Sequence, residues 1–254
     1  MIHPTAIIDP GARLASDVSV GPYSVIGPDV KVGPGCVIGP HVVFQGPMTM
    51  GARNRVFQFA SVGEACQDKK YAGEPTTLVI GDDNIIREFV TLQRGTVQDK
   101  GETRIGSRGL FMAYTHVAHD CVVGDDVILA NTTQLAGHVQ VSDRAILGGG
   151  TLVHQYCQIG LHAMTGAGTV LFKDIPAFVM AQGNPAKPYA MNFEGLRRHN
   201  YSATSLRALK EAYRLVYRQG LTLERALDQL DEDPDSSVQV FVASLRASQR
   251  GIIR

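Results

Sequence analysis

The sequence predicts an all-β main domain, a parallel β-helix, followed by a small α-helical C-terminal domain. Two observations carry this expectation. Apolar residues recur every six positions over most of the chain, and that period stops after Pro176, where helical spacing takes over. From Phe111 to Gln158 the chain reads in sixes as FMAYTH, VAHDCV, VGDDVI, LANTTQ, LAGHVQ, VSDRAI, LGGGTL and VHQYCQ. The first letter is aliphatic or aromatic and the fifth is small, thiol or β-branched, which fits neither a plain strand nor a helix. A hexad period is the mark of a β-helix in which each hexad forms one side of a triangular coil, with positions one and five pointing inward.

The frame runs unbroken from Ile2 to Gln67, resumes at Ile80 for three hexads and again at Ile105 for twelve, and ends near Pro176. Among the first positions only Thr165 is not apolar. Gly-Pro pairs at the second and third positions mark corners. Two polar segments interrupt the frame, 68–79 (DKKYAGEPTTLV) and 98–104 (QDKGETR). With the phase kept, both leave from one column of hexads and so from one corner. Loops on a rigid scaffold are where binding groups are carried, which singles out Asp68, Lys69 and Lys70.

Beyond Pro176, AFVMAQGNPAKPYAMN reads as a linker and cap over the open end of the prism. Ser202 is a helix N-cap, Leu206, Leu209, Tyr213 and Val216 form an apolar stripe, and Gly220 is a C-cap. Thr222 starts a second helix to about Leu230, and a third follows DEDPD from Ser236 to Ser248. The expected domains are 1–184 and 185–254.

Formal charge is zero and the pI about 7.1, so no global field calls for nucleic acid or a membrane. No apolar run reaches the ~18 residues of a membrane span, and MIHPTAIIDPGA lacks a leader pattern, so a soluble, cytoplasmic protein is expected without stable membrane insertion. Cys36, Cys66, Cys121 and Cys157 all fall at hexad position five, as core fillers rather than a disulfide framework. One local excess stands out: residues 185–225 hold eight Lys or Arg against three Glu, a charge of +5 that could steer an acidic partner.

His119, His138 and His154 lie in hexads that begin at Val117, Leu135 and Val153, eighteen residues apart, so they stack on one face of successive coils. None occupies position one or five, so all project outward, with His116 nearby. Asp120 follows His119 and could hold its ring as a general base. Direct pairing conflicts with the alternation of a strand, an objection that weakens at a corner. Gly137 could offer an unencumbered N–H to an oxyanion. Two chemistries use such a row: a zinc site on three imidazoles, or acyl transfer with a histidine base. Asp120 and the lysine-bearing loop favour acyl transfer, without a metal. A non-catalytic scaffold would leave the His-Asp pair unexplained.

The motifs HVAHDC, LAGHV, GGGTLVHQ, QDKKYAGEPT and QGNPAKPYAMNFEGLRR resemble those of the cytoplasmic UDP-N-acetylglucosamine O-acyltransferases, which catalyse the first step of lipid A synthesis in Gram-negative bacteria. The resemblance implies a left-handed β-helix, a homotrimer with active sites between neighbouring prisms, and transfer of a 3-hydroxyacyl chain from acyl carrier protein to the glucosamine 3-hydroxyl of UDP-N-acetylglucosamine. It implies no separate cofactor, the donor being carried on the phosphopantetheine of the carrier. It makes His119 the base, Asp120 its orienting partner and the Gly137 N–H the oxyanion donor. Asp68 and Lys70 would meet the sugar and phosphate, with His116, His138, His154 and Gln155 lining the cleft. Asn192, Glu194 and Arg198 would hold the nucleotide, Ala167 and Met164 would limit the acyl chain, and the +5 segment would meet the carrier protein. The rivals are a γ-class carbonic anhydrase-like zinc enzyme and another hexapeptide acyltransferase; the related N-acyltransferase usually carries an additional N-terminal domain, whereas hexads begin here at Ile2.

Overall fold

The computed structural model describes all residues, 1–254. Every third strand pairs in parallel, giving three sheets of nine, eight and ten strands that form the sides of a left-handed parallel β-helix. The first face runs from Ile7–Ile8 to Val170–Leu171, the second from Arg13–Leu14 to Gln158–Ile159, and the third begins at Ser19–Val20. Pairing of Val117 with Leu135 and of Leu135 with Val153 confirms the eighteen-residue coil and stacks the three histidine hexads. The left-handed course departs from the usual right-handed crossover between parallel strands.

Burial follows the hexad frame. From Val18 onward the first and fifth positions are buried, with Phe44, Phe111, Val117, Cys121 and Leu135 at 0% exposure. Some polar residues at inward positions are satisfied locally, as where Asn84 donates to Asn54 Oδ1 at 3.0 Å and to the Gly106 carbonyl at 2.9 Å, whereas the buried Thr115 hydroxyl has no partner. Thr165, the one polar first position, shares a 2.7 Å hydrogen bond with Thr151. The four cysteines are free and buried, and burial pushes the Cys121 thiol up to about 12.

The corners require a backbone that few L-residues adopt. At the fourth hexad position Asp120, His138 and Tyr156 have φ of 58°, 63° and 65°. The N–H groups of His138 and Tyr156 then reach back to the third-position carbonyls of the preceding coil, His119 at 3.0 Å and Gly137 at 3.1 Å, whereas that of Asp120 goes to the Thr103 hydroxyl.

The segment after Pro176 departs from the sequence expectation. Val179–Gln182 and Lys187–Met191 form an antiparallel hairpin that completes the third face, and the 184/185 junction lies in its turn. The alternating burial of both strands is a period-two signal too short to stand out beside the hexads. Four helices follow: α1 (Phe193–Arg198), which sequence spacing missed, α2 (Ala203–Tyr217), α3 (Leu223–Leu230) and α4 (Ser236–Arg246). Ser202 and Thr222 cap α2 and α3 as expected, and Leu209, Tyr213 and Val216 are buried. Buried Asp174 ties the tail to the last coil, accepting from Gln158 N–H at 2.7 Å and Ser248 Oγ at 2.7 Å. No helix is long and apolar enough to cross a membrane.

Where the coils meet the helices, His162 is 1% exposed, and its Nε2 has no partner. Burial first, then the charges of His199 and Arg144, push its pKa down to about 4 from its ordinary 6.5. A folded histidine held neutral gives stability that is complete above the unfolded pKa and lost as pH falls toward the folded one. Between pH 7 and 5 the wild type should lose about 2 kcal/mol through this group, a loss that His162→Asn should remove from the slope of unfolding free energy against pH. Denaturant titrations of both proteins check this, and parallel slopes would count against it.

Candidate active site

His119 and Asp120 occupy positions three and four of one hexad, at the corner between the first and second faces. The left-handed φ of Asp120 turns the chain so that both side chains project to the same side, removing the strand-alternation objection. Asp120 Oδ2 lies 2.8 Å from His119 Nδ1. The carboxylate is fully buried and accepts the Thr96 N–H at 2.9 Å and the Thr96 hydroxyl at 2.6 Å. Asp120 N–H donates to Thr103 Oγ1 at 2.8 Å. Burial pushes the Asp120 carboxyl up, but the bonds from His119 and Thr96 outweigh it and hold it below its ordinary range. An ionised carboxylate keeps the proton on His119 Nδ1 and leaves the Nε2 lone pair available as a base.

Gly137 occupies the same hexad position one coil further on. A Cβ there would stand 2.6 Å from His119 Nε2, so only glycine lets the imidazole lie across this backbone. Its N–H donates to nothing within the chain, which suits it to an oxyanion. His138 meets His119 edge to face at 5.0 Å, stacks on Tyr156 at 4.3 Å, and shares a 2.9 Å hydrogen bond between Nδ1 and Asp99 Oδ2. His116 pairs through Nδ1 with Thr91 Oγ1 at 2.7 Å. Burial, then the charge of His119, lower its pKa and favour the neutral ring.

His154 turns the other way, with Nδ1 3.2 Å from the Gln155 carbonyl and its ring beside Phe172. The potential metal-ligand atoms that converge belong to His119, Asp120 and His138, and Asp120 is already committed to Thr96 and His119. The three-imidazole zinc set is not assembled within the chain. Instead His154 and His116 border an apolar cavity of about 510 Å³ on the first face, with Gln134, Leu152, Val170 and Phe172.

The remaining candidates lie apart. Both interruptions leave from the corner that carries His119, as the phase predicts, with strands resuming at Thr77 and Glu102. Asp68 accepts the Lys70 N–H at 2.9 Å, Lys70 is exposed, and neither bonds to the histidine cluster. Asn192 is buried as the N-cap of α1, accepting from Gly195 N–H and donating to the His162 carbonyl, each at 3.0 Å. Glu194 pairs with Arg198 at 3.2 Å on the exposed side. These three lie beside His162, at the corner between the second and third faces. Met164 sits on the third face and Ala167 is exposed at the corner between the third and first. Thr96, Asp99, Thr103 and Tyr156 are site residues that motif reading missed. Tyr156 was legible from the shared fourth hexad position; the others lie in or beside the second interruption, which has no period to read.

Known proteins resemble the chain over its whole length. Residues 174–253 match the family model described as UDP-N-acetylglucosamine O-acyltransferase, domain 2, and residues 11–46 match the bacterial transferase hexapeptide model. The chain is 59% identical over 255 residues to acyl-[acyl-carrier-protein]--UDP-N-acetylglucosamine O-acyltransferase from Ectopseudomonas mendocina, and 57% identical over 256 residues to that from Stutzerimonas stutzeri. Each comparison covers 100% of this chain and 99% of the relative. The crystal structure of the Moraxella catarrhalis UDP-N-acetylglucosamine O-acyltransferase superposes with a TM-score of 0.97 at 47% identity, covering 100% of this chain and 99% of that one.

Two substitutions test the cluster through turnover. Gly137→Ala drives a methyl into the His119 ring and should lower kcat by roughly 100-fold, the scale of one lost oxyanion donor or displaced base. Thr96→Val removes one bond to Asp120 and should cost less, roughly tenfold, the scale of a charge-assisted hydrogen bond. A Gly137→Ala protein with wild-type kcat would take this backbone out of the reaction.

Proposed function

The chain belongs to the UDP-N-acetylglucosamine O-acyltransferase family, and from that premise we propose that it transfers a 3-hydroxyacyl chain from acyl carrier protein to the 3-hydroxyl of UDP-N-acetylglucosamine, opening lipid A synthesis. The observation that carries the reading is the buried Asp120–His119 pair lying across the unbonded Gly137 N–H. His119 Nε2 takes the proton of the acceptor hydroxyl as its oxygen attacks the thioester carbon. A C–O bond forms, and the carbonyl oxygen becomes an oxyanion received by the Gly137 N–H. Collapse breaks the C–S bond, and His119 returns the proton to the departing phosphopantetheine thiolate. Asp120 stays ionised throughout and stabilises the imidazolium that forms between the two transfers. No step passes through a metal.

The apolar cavity beside His116 and His154 suits an acyl chain. Asp68 and Lys70 reach for the sugar and phosphate from the loop above the same corner. Asn192, Glu194 and Arg198 stand at a different corner of the chain, so their role at this site requires a neighbouring copy. That separation supports a homotrimer in which one prism supplies the base and the next supplies nucleotide contacts and, through Ala167 and Met164, a border for the acyl chain. Gln155, exposed at the His119 corner, would face that neighbour. A second cavity of about 380 Å³ joins Phe193 and Leu206 to Arg197, Arg207 and Lys210. Its basic rim suits the acidic surface of a carrier protein. The zinc-hydratase alternative loses support because His154 does not join His119 and His138.

A mass-spectrometric assay with UDP-N-acetylglucosamine and 3-hydroxyacyl carrier proteins tests the reading. The product should be heavier by one hydroxyacyl group, and His119→Ala at unchanged thermal stability should lower turnover at least roughly 100-fold, the scale of a lost general base. Lys70→Ala should mainly raise KM for the nucleotide sugar. Near-normal turnover in His119→Ala would remove it from the mechanism.

A further inference from the structure

Arg94 is buried, at 8% exposure, and its side chain bonds to two carbonyls and a hydroxyl rather than to a carboxylate. A buried cation without a carboxylate is costly, and here even the Nε–H is left without a partner. Its bonds go instead to three groups far away in sequence. Nη1 donates to the Gly46 carbonyl and, at 2.8 Å, to the Gly63 carbonyl, while Nη2 donates to the Tyr71 hydroxyl at 3.0 Å. The Tyr71 hydroxyl in turn donates to the Glu74 carbonyl at 2.9 Å. Gly63 has a φ of 82°, and a Cβ there would strike the Gln45 carbonyl, so this backbone is fixed where Arg94 meets it.

The hexad phase gives Arg94 its meaning. Arg94 holds the third position of the hexad LQRGTV, the position that His119 holds in the next coil of the same column. Two residues on, Thr96 holds Asp120 with both its N–H and its hydroxyl. One hexad therefore grips the loop 65–76 with one side chain and the orienting carboxylate with another.

We propose that Arg94 is a positioning residue for the nucleotide sugar: through Tyr71 it latches the loop that carries Asp68 and Lys70 in fixed register with the His119–Asp120 pair. This rests on the reading that the loop binds the nucleotide sugar. A guanidinium suits the task because its planar fork bridges separate acceptors at fixed angles, which a lysine ammonium cannot reproduce. A purely structural arginine would give a general loss of stability, whereas a latch affects the loop and the substrate it holds.

The test uses the full-length protein with Tyr71→Phe, Arg94→Lys, the double variant, and Lys70→Ala as a control on the loop. Tyr71→Phe deletes one hydroxyl from a partly exposed loop residue, so it remains informative if Arg94→Lys folds poorly. Both single variants should raise KM for UDP-N-acetylglucosamine roughly tenfold, the scale of one charge-assisted hydrogen bond, with kcat within about twofold and KM for the acyl carrier protein unchanged. The double variant should fall short of the sum of the two single effects, because both changes remove the Arg94–Tyr71 bond while Tyr71→Phe also removes the bond to the Glu74 carbonyl. Hydrogen exchange should quicken in residues 65–76 and not around His119 in each single variant. Unchanged exchange in the loop of Tyr71→Phe overturns the latch, whatever the kinetics. An unchanged KM in Tyr71→Phe while Lys70→Ala raises it overturns the positioning role. An unchanged KM in Lys70→Ala defeats the parent reading of the loop instead.

Discussion

Everything in this structure depends on how the chain turns each corner. A triangular coil has two or three residues in which to change direction, and it does so by placing the fourth residue of the hexad in the left-handed region. For an ordinary residue that conformation costs about 1–2 kcal/mol, yet tyrosine, histidine, phenylalanine, arginine and aspartate all hold it here. The strain persists because the same residue's N–H finds the carbonyl of the preceding coil, as from Tyr156 to Gly137 at 3.1 Å and from Arg144 to Asp125 at 2.8 Å. Coil spacing and corner geometry therefore fix one another.

A consequence is that fourth-position side chains rise one above another as ladders, and the three corners carry different chemistry. Between the third and first faces Tyr23, His41, Phe59, Phe89 and Tyr114 stack with centroids 4.7–5.4 Å apart. Between the second and third faces Arg53, Asp83, Arg108, Asp126 and Arg144 alternate in sign; Arg53 pairs with Asp83, and Asp126 with Arg108 and Arg144. Between the first and second faces the ladder is Asp120, His138 and Tyr156. Exposed ion pairs are worth little individually, and the apolar first and fifth positions carry more of the stability. The corners are thus free to differ, and a reactive ladder can stand on the same core as an inert one.

The core was legible because its period is long, repeated and unambiguous: position one and position five could be assigned residue by residue, down to the four cysteines. The phase also placed His119, His138 and the two interruptions at one corner. The contacts that make these residues a site were not legible. The His119–Asp120 pair depends on a left-handed φ that strand alternation argues against. Thr96 comes from the hexad just before the second interruption, Asp99 from that interruption and Tyr71 from the first, and their partners lie 20 to 40 residues away. His154 shared the column yet turned toward Phe172, because the repeat fixes the coil on which a residue sits and not its rotamer. The hairpin after Pro176 and the six-residue α1 were too short to announce a period of their own.

The shape of the prism constrains the chemistry more than any single residue does. Acyl transfer through an oxyanion needs a site from which water is excluded and in which donors are fixed before the reaction. A flat-sided prism is convex at its corners, so one coil stack cannot wrap around a substrate by itself. The His119 and His138 side chains are nevertheless only 14% and 12% exposed: Asp99 of the second interruption reaches His138, and Thr96 of the hexad before it covers Asp120. The first interruption rises beside it, held by Arg94, and leaves Lys70 exposed. What stays open is the first face, with its apolar cavity and exposed Leu152 and Phe172. A surface that is closed above by loops and bare along one apolar side suits the second surface that the proposed homotrimer would lay against it. The nucleotide-binding candidates at another corner are what a copy of the same chain would bring there.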